Sequence, residues 1–313
     1  MKIQEVQIEG LFGKKDILWK LNPQVNVLVG ENGSGKSKLL MIIHSSITKI
    51  ISETITDLTF GSIIQLSNKK IYFYYKNKDE ILEELTKKFK EEWFKEGSNK
   101  NNLREEDFIH ILEGITPQYR FYELTPDNHK LPSTNKPENI YIDLITSNLT
   151  NSNANHIIQK SNQEKTNALD MEIRETIYEL NKIQSNEIIE RLVISLNSFF
   201  SQIDKQVSYK NNELIYTDIQ LKKQLNYSDL SSGERQLIYI LLRVALSNQD
   251  KNKTAIILMD EPEISLHVNW QSQFIKQLTL LNPDAQFIIV THSPAIIMNG
   301  WNDMYVTMEE ITQ

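Results

Sequence analysis

An apolar run, Val25-Asn26-Val27-Leu28-Val29, enters a glycine-rich turn, Gly30-Glu31-Asn32-Gly33-Ser34-Gly35-Lys36-Ser37, and leaves it into a segment where Leu39, Leu40, Ile42, Ile43 and Ile47 recur at helical spacings. Strand, loop and helix in this order constrain the fold more than any other part of the chain. The pattern GxxxxGKS lets backbone N–H groups converge on phosphate oxygens, because glycine tolerates the required turns and the following helix presents its positive end. In such a loop Lys36 neutralises the β and γ phosphates and Ser37 offers an oxygen to magnesium. Gly30, Glu31, Asn32, Gly33, Ser34, Gly35, Lys36 and Ser37 are therefore the candidate nucleotide contacts, with ATP and Mg2+ as the expected ligands.

Two further apolar runs read as strands buried on both faces of a parallel sheet. Ala255-Ile256-Ile257-Leu258-Met259 ends in Asp260-Glu261-Pro262, and Gln286-Phe287-Ile288-Ile289-Val290 ends in Thr291-His292-Ser293-Pro294. Acids at the C-terminal end of a buried strand are costly unless an ion or substrate uses them. Asp260 is the candidate magnesium ligand, Glu261 the candidate general base, and His292 a group placed to meet the γ phosphate or the attacking water. A fourth element, Leu230-Ser231-Ser232-Gly233-Glu234-Arg235-Gln236, reads as a serine-capped helix start. A Ser-Gly helix start is a second anion site, so Ser232, Gly233 and Glu234 are candidates for contacting ATP held by a second subunit. The expected assembly is a homodimer.

Composition narrows the class. With 40% hydrophobic and 24% charged residues in 313, the chain has material for a large α/β core. Cysteine is absent, which excludes disulfides and cysteine-ligated zinc. A formal charge of -7 argues against a uniformly basic nucleic-acid surface, while leaving a local basic groove open. No stretch has the roughly 18 to 20 uninterrupted apolar residues of a membrane span, and the start, Met1-Lys2-Ile3-Gln4-Glu5, lacks a signal-peptide hydrophobic region. A cytoplasmic location with no membrane partner is expected.

Between the motifs the signals are local. Residues 2 to 9 and 16 to 21 read as strands around a glycine turn, and 62 to 76 as a hairpin turning near Ser67-Asn68. Residues 79 to 95 have an amphipathic helical pattern. Residues 117 to 138, with Pro117, Pro126, Pro132 and Pro137, suggest extended structure and turns ahead of a strand over 139 to 145. Residues 146 to 167, rich in Asn, Ser, Thr and Gln, read as a loop. Helices are expected over 168 to 184 and 186 to 203, and a hairpin from 205 to 217 across Asn211-Asn212. The organisation read from this is one domain over 1–313, with an inserted α/β and helical lobe at 51–225.

The four motifs, in this order, resemble the ATP-binding cassette ATPase fold in its soluble branch, which includes RecF, SMC-like proteins and the OLD family. Gly-Glu-Asn-Gly-Ser-Gly-Lys-Ser, Leu-Ser-Ser-Gly-Glu-Arg-Gln, Asp-Glu-Pro-Glu-Ile-Ser-Leu-His and Thr-His-Ser-Pro are similar to the ATPases of bacterial anti-phage systems, Septu-type and retron-associated ones among them. The motifs anchor residues 1 to 50 and 225 to 300. The resemblance implies a mixed parallel sheet with N-terminal antiparallel strands. It also implies a head-to-tail dimer in which ATP lies between Lys36 and Ser37 of one protomer and Ser232 and Gly233 of the other, with Ser265 and His267 in the loop crossing that interface. Val268 stands where relatives commonly have proline. A glutamine loop is expected after Ile145, and Phe12 is the candidate aromatic for the adenine. The chain ends soon after the His292 strand, which leaves no room for the nuclease domain of the OLD family, and it lacks the sustained heptads of SMC coiled coils. The expected function is an ATP-binding and hydrolysing dimeric switch that gates a separate effector protein, with a DNA-repair or chromosome-associated DNA clamp as the alternative.

Overall fold

The computed structural model describes residues 1–50, 59, 61–67, 70–76, 118–124, 130–132, 136–146, 157–159, 165–298 and 300–313. Strands β1 (Ile3–Leu11), β2 (Lys15–Lys20) and β3 (Val25–Val29) lead to helix α1 (Lys36–Thr48). Then come β4 (Gly61–Leu66), β5 (Lys70–Lys76), β6 (Gln118–Leu124), β7 (Lys130–Pro132), β8 (Ile140–Thr146), β9 (Ile157–Gln159) and β10 (Lys165–Asn167). Helices α2 (Ala168–Ile183) and α3 (Asn186–Phe200) precede β11 (Lys205–Lys210), β12 (Glu213–Asp218) and β13 (Lys223–Leu225). The last third holds α4 (Ser232–Leu246), β14 (Thr254–Asp260), α5 (Val268–Leu281), β15 (Gln286–Thr291) and β16 (Tyr305–Thr307).

Two sheets carry the architecture. A parallel five-stranded sheet has the order β16-β3-β15-β14-β8, and an antiparallel six-stranded sheet the order β2-β1-β4-β5-β6-β7. The stretch read as an inserted lobe, 51–225, is threaded through both: β4 to β7 extend the sheet begun by β1 and β2, and β8 closes one edge of the parallel sheet. Backbone pairing of β1 with β4 spans more than fifty residues of sequence, a distance over which local propensity carries no information. The loop expected over 146 to 167 contains a short antiparallel pair, β9 with β10, while the helical pattern over 79 to 95 lies outside the described residues.

The apolar runs are continuous because each strand of the parallel sheet feeds two cores. Ile256 and Leu258 of β14, with Ile288 and Val290 of β15 and Leu28 of β3, face α1 and the antiparallel sheet. Their neighbours Ile257, Met259, Phe287, Ile289 and Val27 face the helices α2 to α5. Period-two alternation of side chains thus divides one run between two hydrophobic layers.

Local chemistry sets the ends of these elements. Asn167 and Ser185 cap α2 and α3 by accepting from Leu169 N and Ile188 N. At α4, Ser231 accepts from Glu234 N while the Glu234 carboxylate accepts from Ser231 N, a reciprocal capping box. Val268 is the first residue of α5, a position whose N–H has no intrahelical partner, which is why proline is tolerated there and valine serves as well. The β11–β12 hairpin turns on Asn211 and Asn212 with φ of 52° and 65°, the left-handed pair that a two-residue turn demands.

Helix α4 is tied to the sheet edge by a buried ion pair. Arg243 Nε donates to Asp143 Oδ2 at 2.8 Å and its Nη2 donates to Asp143 Oδ1. Asp143 lies in β8 with its side chain 7% exposed. Replacing Arg243 by Met should lower stability by about 3 kcal/mol, because it leaves a carboxylate buried without its partner. The double replacement Asp143→Leu with Arg243→Met should recover most of the loss, both read as urea denaturation midpoints.

Candidate functional site

The order of the parallel sheet assembles the site. Strand β15 lies between β3 and β14, with Val29 opposite Thr291 and Val290 opposite Asp260 in register. The glycine loop, His292 and the Asp260-Glu261 pair therefore emerge side by side at the C-terminal ends of adjacent strands, where open α/β sheets bind their ligands. The glycine loop thus meets residues more than two hundred positions away in sequence.

Within the loop, Gly33 and Gly35 have φ of 78° and 106°, conformations that a side chain would oppose. Glu31, Asn32 and Gly33 are exposed at the tip, Ser34 is half-buried, and Ser34 N donates to Glu31 O at 3.3 Å. Lys36 folds back into the loop. Its ammonium donates to Gly30 O and Glu31 O, both at 2.8 Å, lies 3.5 Å from Ser34 Oγ, and meets His292 Nε2 at 2.9 Å. Burial pushes the Lys36 pKa down, and Glu261, Asp260, Glu263 and Glu309 oppose that shift. Phe12, itself at a φ of 55° and well exposed, lays its ring beside the loop: a Cβ at Gly35 would lie 2.9 Å from Phe12 Cε2.

Ser37 Oγ donates to Asp260 Oδ1 at 2.8 Å. Burial pushes the Asp260 carboxyl up, the Ser37 hydrogen bond opposing. A hydroxyl and a carboxylate oxygen this close are a hard, all-oxygen donor pair, which suits Mg2+ completed by phosphate oxygens and water. Glu261 Oε1 lies 2.9 Å from His292 Nε2, the same nitrogen that meets the Lys36 ammonium, so the imidazole edge faces both Glu261 and Lys36. Glu261 has a φ of 48°, a left-handed conformation that costs a glutamate about 1 to 3 kcal/mol and recurs at functional turns.

Ser232, Gly233 and Glu234 lie elsewhere. A pocket of about 540 Å³ is lined by Ser231, Gly233, Glu234, Ser265, His267 and Trp270 among others, and no glycine-loop residue lines it. Ser232 is exposed at the first position of α4, whereas the Glu234 carboxylate turns into its own chain, accepting from Ser231 N at 2.7 Å and from Lys205 Nζ at 2.6 Å. A Cβ on Gly233 would overlap the Ser265 carbonyl oxygen, which is why glycine fits there. Ser265 has a φ of 74°. Gln236, one turn along α4, donates to Pro262 O at 2.9 Å and secures the same loop from below.

Sequence reading assigned no role to Glu263, Gln236 or Gln271, although all three are buried side chains around the 261–267 loop. A third acid, Glu263, directly after Asp260-Glu261-Pro262 at the end of a buried strand was the available signal. The expected glutamine loop falls largely on 147–156 and 160–164, outside the described residues. Among the described residues no helix is long and apolar enough to cross a membrane.

A family model described as "AAA domain, putative AbiEii toxin, Type IV TA system" matches residues 25–299. The chain is 28% identical over 177 residues to the Retron Vc95 probable ATPase of Vibrio cholerae serotype O1 biovar El Tor, a match covering 52% of this chain and 34% of that protein. It is 26% identical over 136 residues to the DNA double-strand break repair Rad50 ATPase of Sulfurisphaera tokodaii, covering 43% of this chain and 15% of that one. The chain thus spans about a third or less of the length of these curated relatives. The SMC head domain from Thermotoga maritima aligns with a TM-score of 0.51 at 13% identity, covering 98% of this chain and 94% of that one, which shows a shared fold. The fold is therefore shared with the SMC head domain, and the sequence is similar to a retron ATPase and a Rad50 ATPase.

Proposed function

The chain belongs to the family described as "AAA domain, putative AbiEii toxin, Type IV TA system", and from that premise we propose that it binds and hydrolyses ATP as a nucleotide-sandwich dimer that gates a separate effector protein in bacterial anti-phage defence. The observation that carries this reading is the division of labour within one chain. Lys36, Ser37, Asp260, Glu261 and His292 form one cluster, whereas Gly233, beside the exposed Ser232, lines a pocket that none of residues 30–37 lines. Two half-sites that are separate within one chain would be completed by a second copy placed head to tail. Similarity to a retron ATPase supports the defence setting.

In the bound state Lys36 would exchange its carbonyl partners for phosphate oxygens. Ser37 and Asp260 would hold the magnesium ion, which supplies charge neutralisation at the phosphates. Glu261 would accept a proton from the attacking water, and His292, 2.9 Å from it, would orient that water or the γ phosphate. ATP binds the closed dimer better than the open one and so shifts the population; hydrolysis resets it. Glu261→Gln removes the base but keeps the shape, so ATP and Mg2+ should accumulate dimer in gel filtration with light scattering. A Glu261→Gln protein that stays monomeric at saturating ATP argues against the switch.

A second reading has its own support. The likeness to a Rad50 ATPase favours a DNA clamp, for which ATP-dependent DNA binding should fall steeply with salt. The formal charge of -7 weighs against it. A stable protein partner co-purifying with the chain, and little DNA affinity, would decide for gating.

A further inference from the structure

The geometry points to Glu263 as a positioning residue that sets the edge of the His292 imidazole against Glu261 and Lys36; this rests on the proposed roles of Glu261 and His292. Glu263 is 6% exposed. Its Oε1 accepts from the Thr291 hydroxyl, from His292 N at 3.2 Å and from Ser293 N at 3.3 Å. One carboxylate oxygen thus gathers three consecutive residues at the end of β15, and it is the acceptor for the His292 N–H. The other oxygen, Oε2, is buried and has no hydrogen-bond partner among the described residues. A carboxylate with one oxygen saturated and the other idle is acting as a local acceptor, not as half of an ion pair.

Gln271 adds a second strap between the same two segments. Ser293 Oγ donates to Gln271 Oε1 at 2.6 Å, and Gln271 Nε2 donates to Leu266 O at 3.0 Å. The backbone around His292 is therefore fastened to the 263–271 segment, the segment that abuts Gly233 at the far pocket. Two contacts of 2.9 Å on one imidazole nitrogen leave little room for displacement. A shift of about 1 Å at such a group costs on the order of a hundredfold in rate.

The test uses the whole chain with Glu263→Gln, Glu263→Met and Thr291→Val. Glutamine keeps an oxygen at the Oε1 position and puts its NH2 where Oε2 has no partner. Methionine fills similar volume without an acceptor. Two readouts are taken: the side-chain resonances of 15N-labelled His292 in the nucleotide-free protein, assigned by their loss in His292→Asn, and kcat and KM for ATP. Glu263→Gln should leave the His292 resonances in place and kcat within about threefold. Glu263→Met should move them and lower kcat by roughly tenfold or more, with KM changed by less than about threefold. Should Glu263→Met fail to fold, Thr291→Val decides: it removes the hydroxyl that donates to Glu263 Oε1 and accepts from Ser293 N, leaves the His292 N–H bond to Glu263 in place, and should give a smaller change of the same kind. Unmoved His292 resonances in the folded Met or Val variant, or a Gln variant as impaired as the Met one, would overturn the assignment. If the unmodified chain does not turn over ATP, the ATPase reading fails, while the resonances still decide the positioning role.

Discussion

Replacing Lys36 by Ala should weaken ATP binding by roughly 30-fold to 150-fold, the loss expected for removing charge-assisted hydrogen bonds worth about 2 to 3 kcal/mol. The ammonium is held by Gly30 O and Glu31 O at the centre of the loop, so a phosphate entering there meets a positive charge already in place. Its burial, at 4% exposure, means that water screens the attraction poorly. Titration calorimetry with ATP and Mg2+ measures the effect. A dissociation constant within about threefold of the original would remove the glycine loop from the nucleotide site. Lys36→Ala also takes one contact from His292, so the variant should lose turnover even at ATP concentrations that restore occupancy.

Replacing Gly233 by Ala should separate binding from turnover. The added methyl overlaps the Ser265 carbonyl oxygen, a backbone atom that can move only with its loop. Ser265 is four residues from Glu261; Gln236 of α4 holds Pro262 between them, and Gln271 of α5 holds Leu266, the residue after Ser265. The strain should cost about 1 to 3 kcal/mol of stability, which a chain with cores on both faces of its parallel sheet can absorb. ATP affinity, set at the glycine loop, should stay within about threefold, while ATP-dependent dimer and hydrolysis fall by roughly a hundredfold. Light scattering and phosphate release read the two losses. Normal turnover in this variant would mean that the Gly233 face takes no part in catalysis.

Much of the site was legible in the residues because its chemistry is local. A loop that must present N–H groups to phosphate needs glycine where φ is positive, as at Gly33 and Gly35, and a buried parallel strand needs apolar residues on both faces, as in β14 and β15. The turn at Asn211-Asn212 and the cap at Ser231 are equally local. The placing of the Glu234 carboxylate was not legible, because a capping box and Lys205, nearly thirty residues earlier, draw it inward.

The residues alone specify the glycine loop and its turns, where the acids and His292 end their strands, and which runs are buried. They do so because backbone conformation and side-chain period are properties of neighbours in the chain. That β15 inserts between β3 and β14, that β4 to β7 continue the sheet of β1 and β2, and that Glu263 grips the backbone of His292 are matters of packing. Such contacts join segments tens to hundreds of residues apart, and their partners are chosen by the burial of whole faces, a quantity that exists only once the chain has closed on itself.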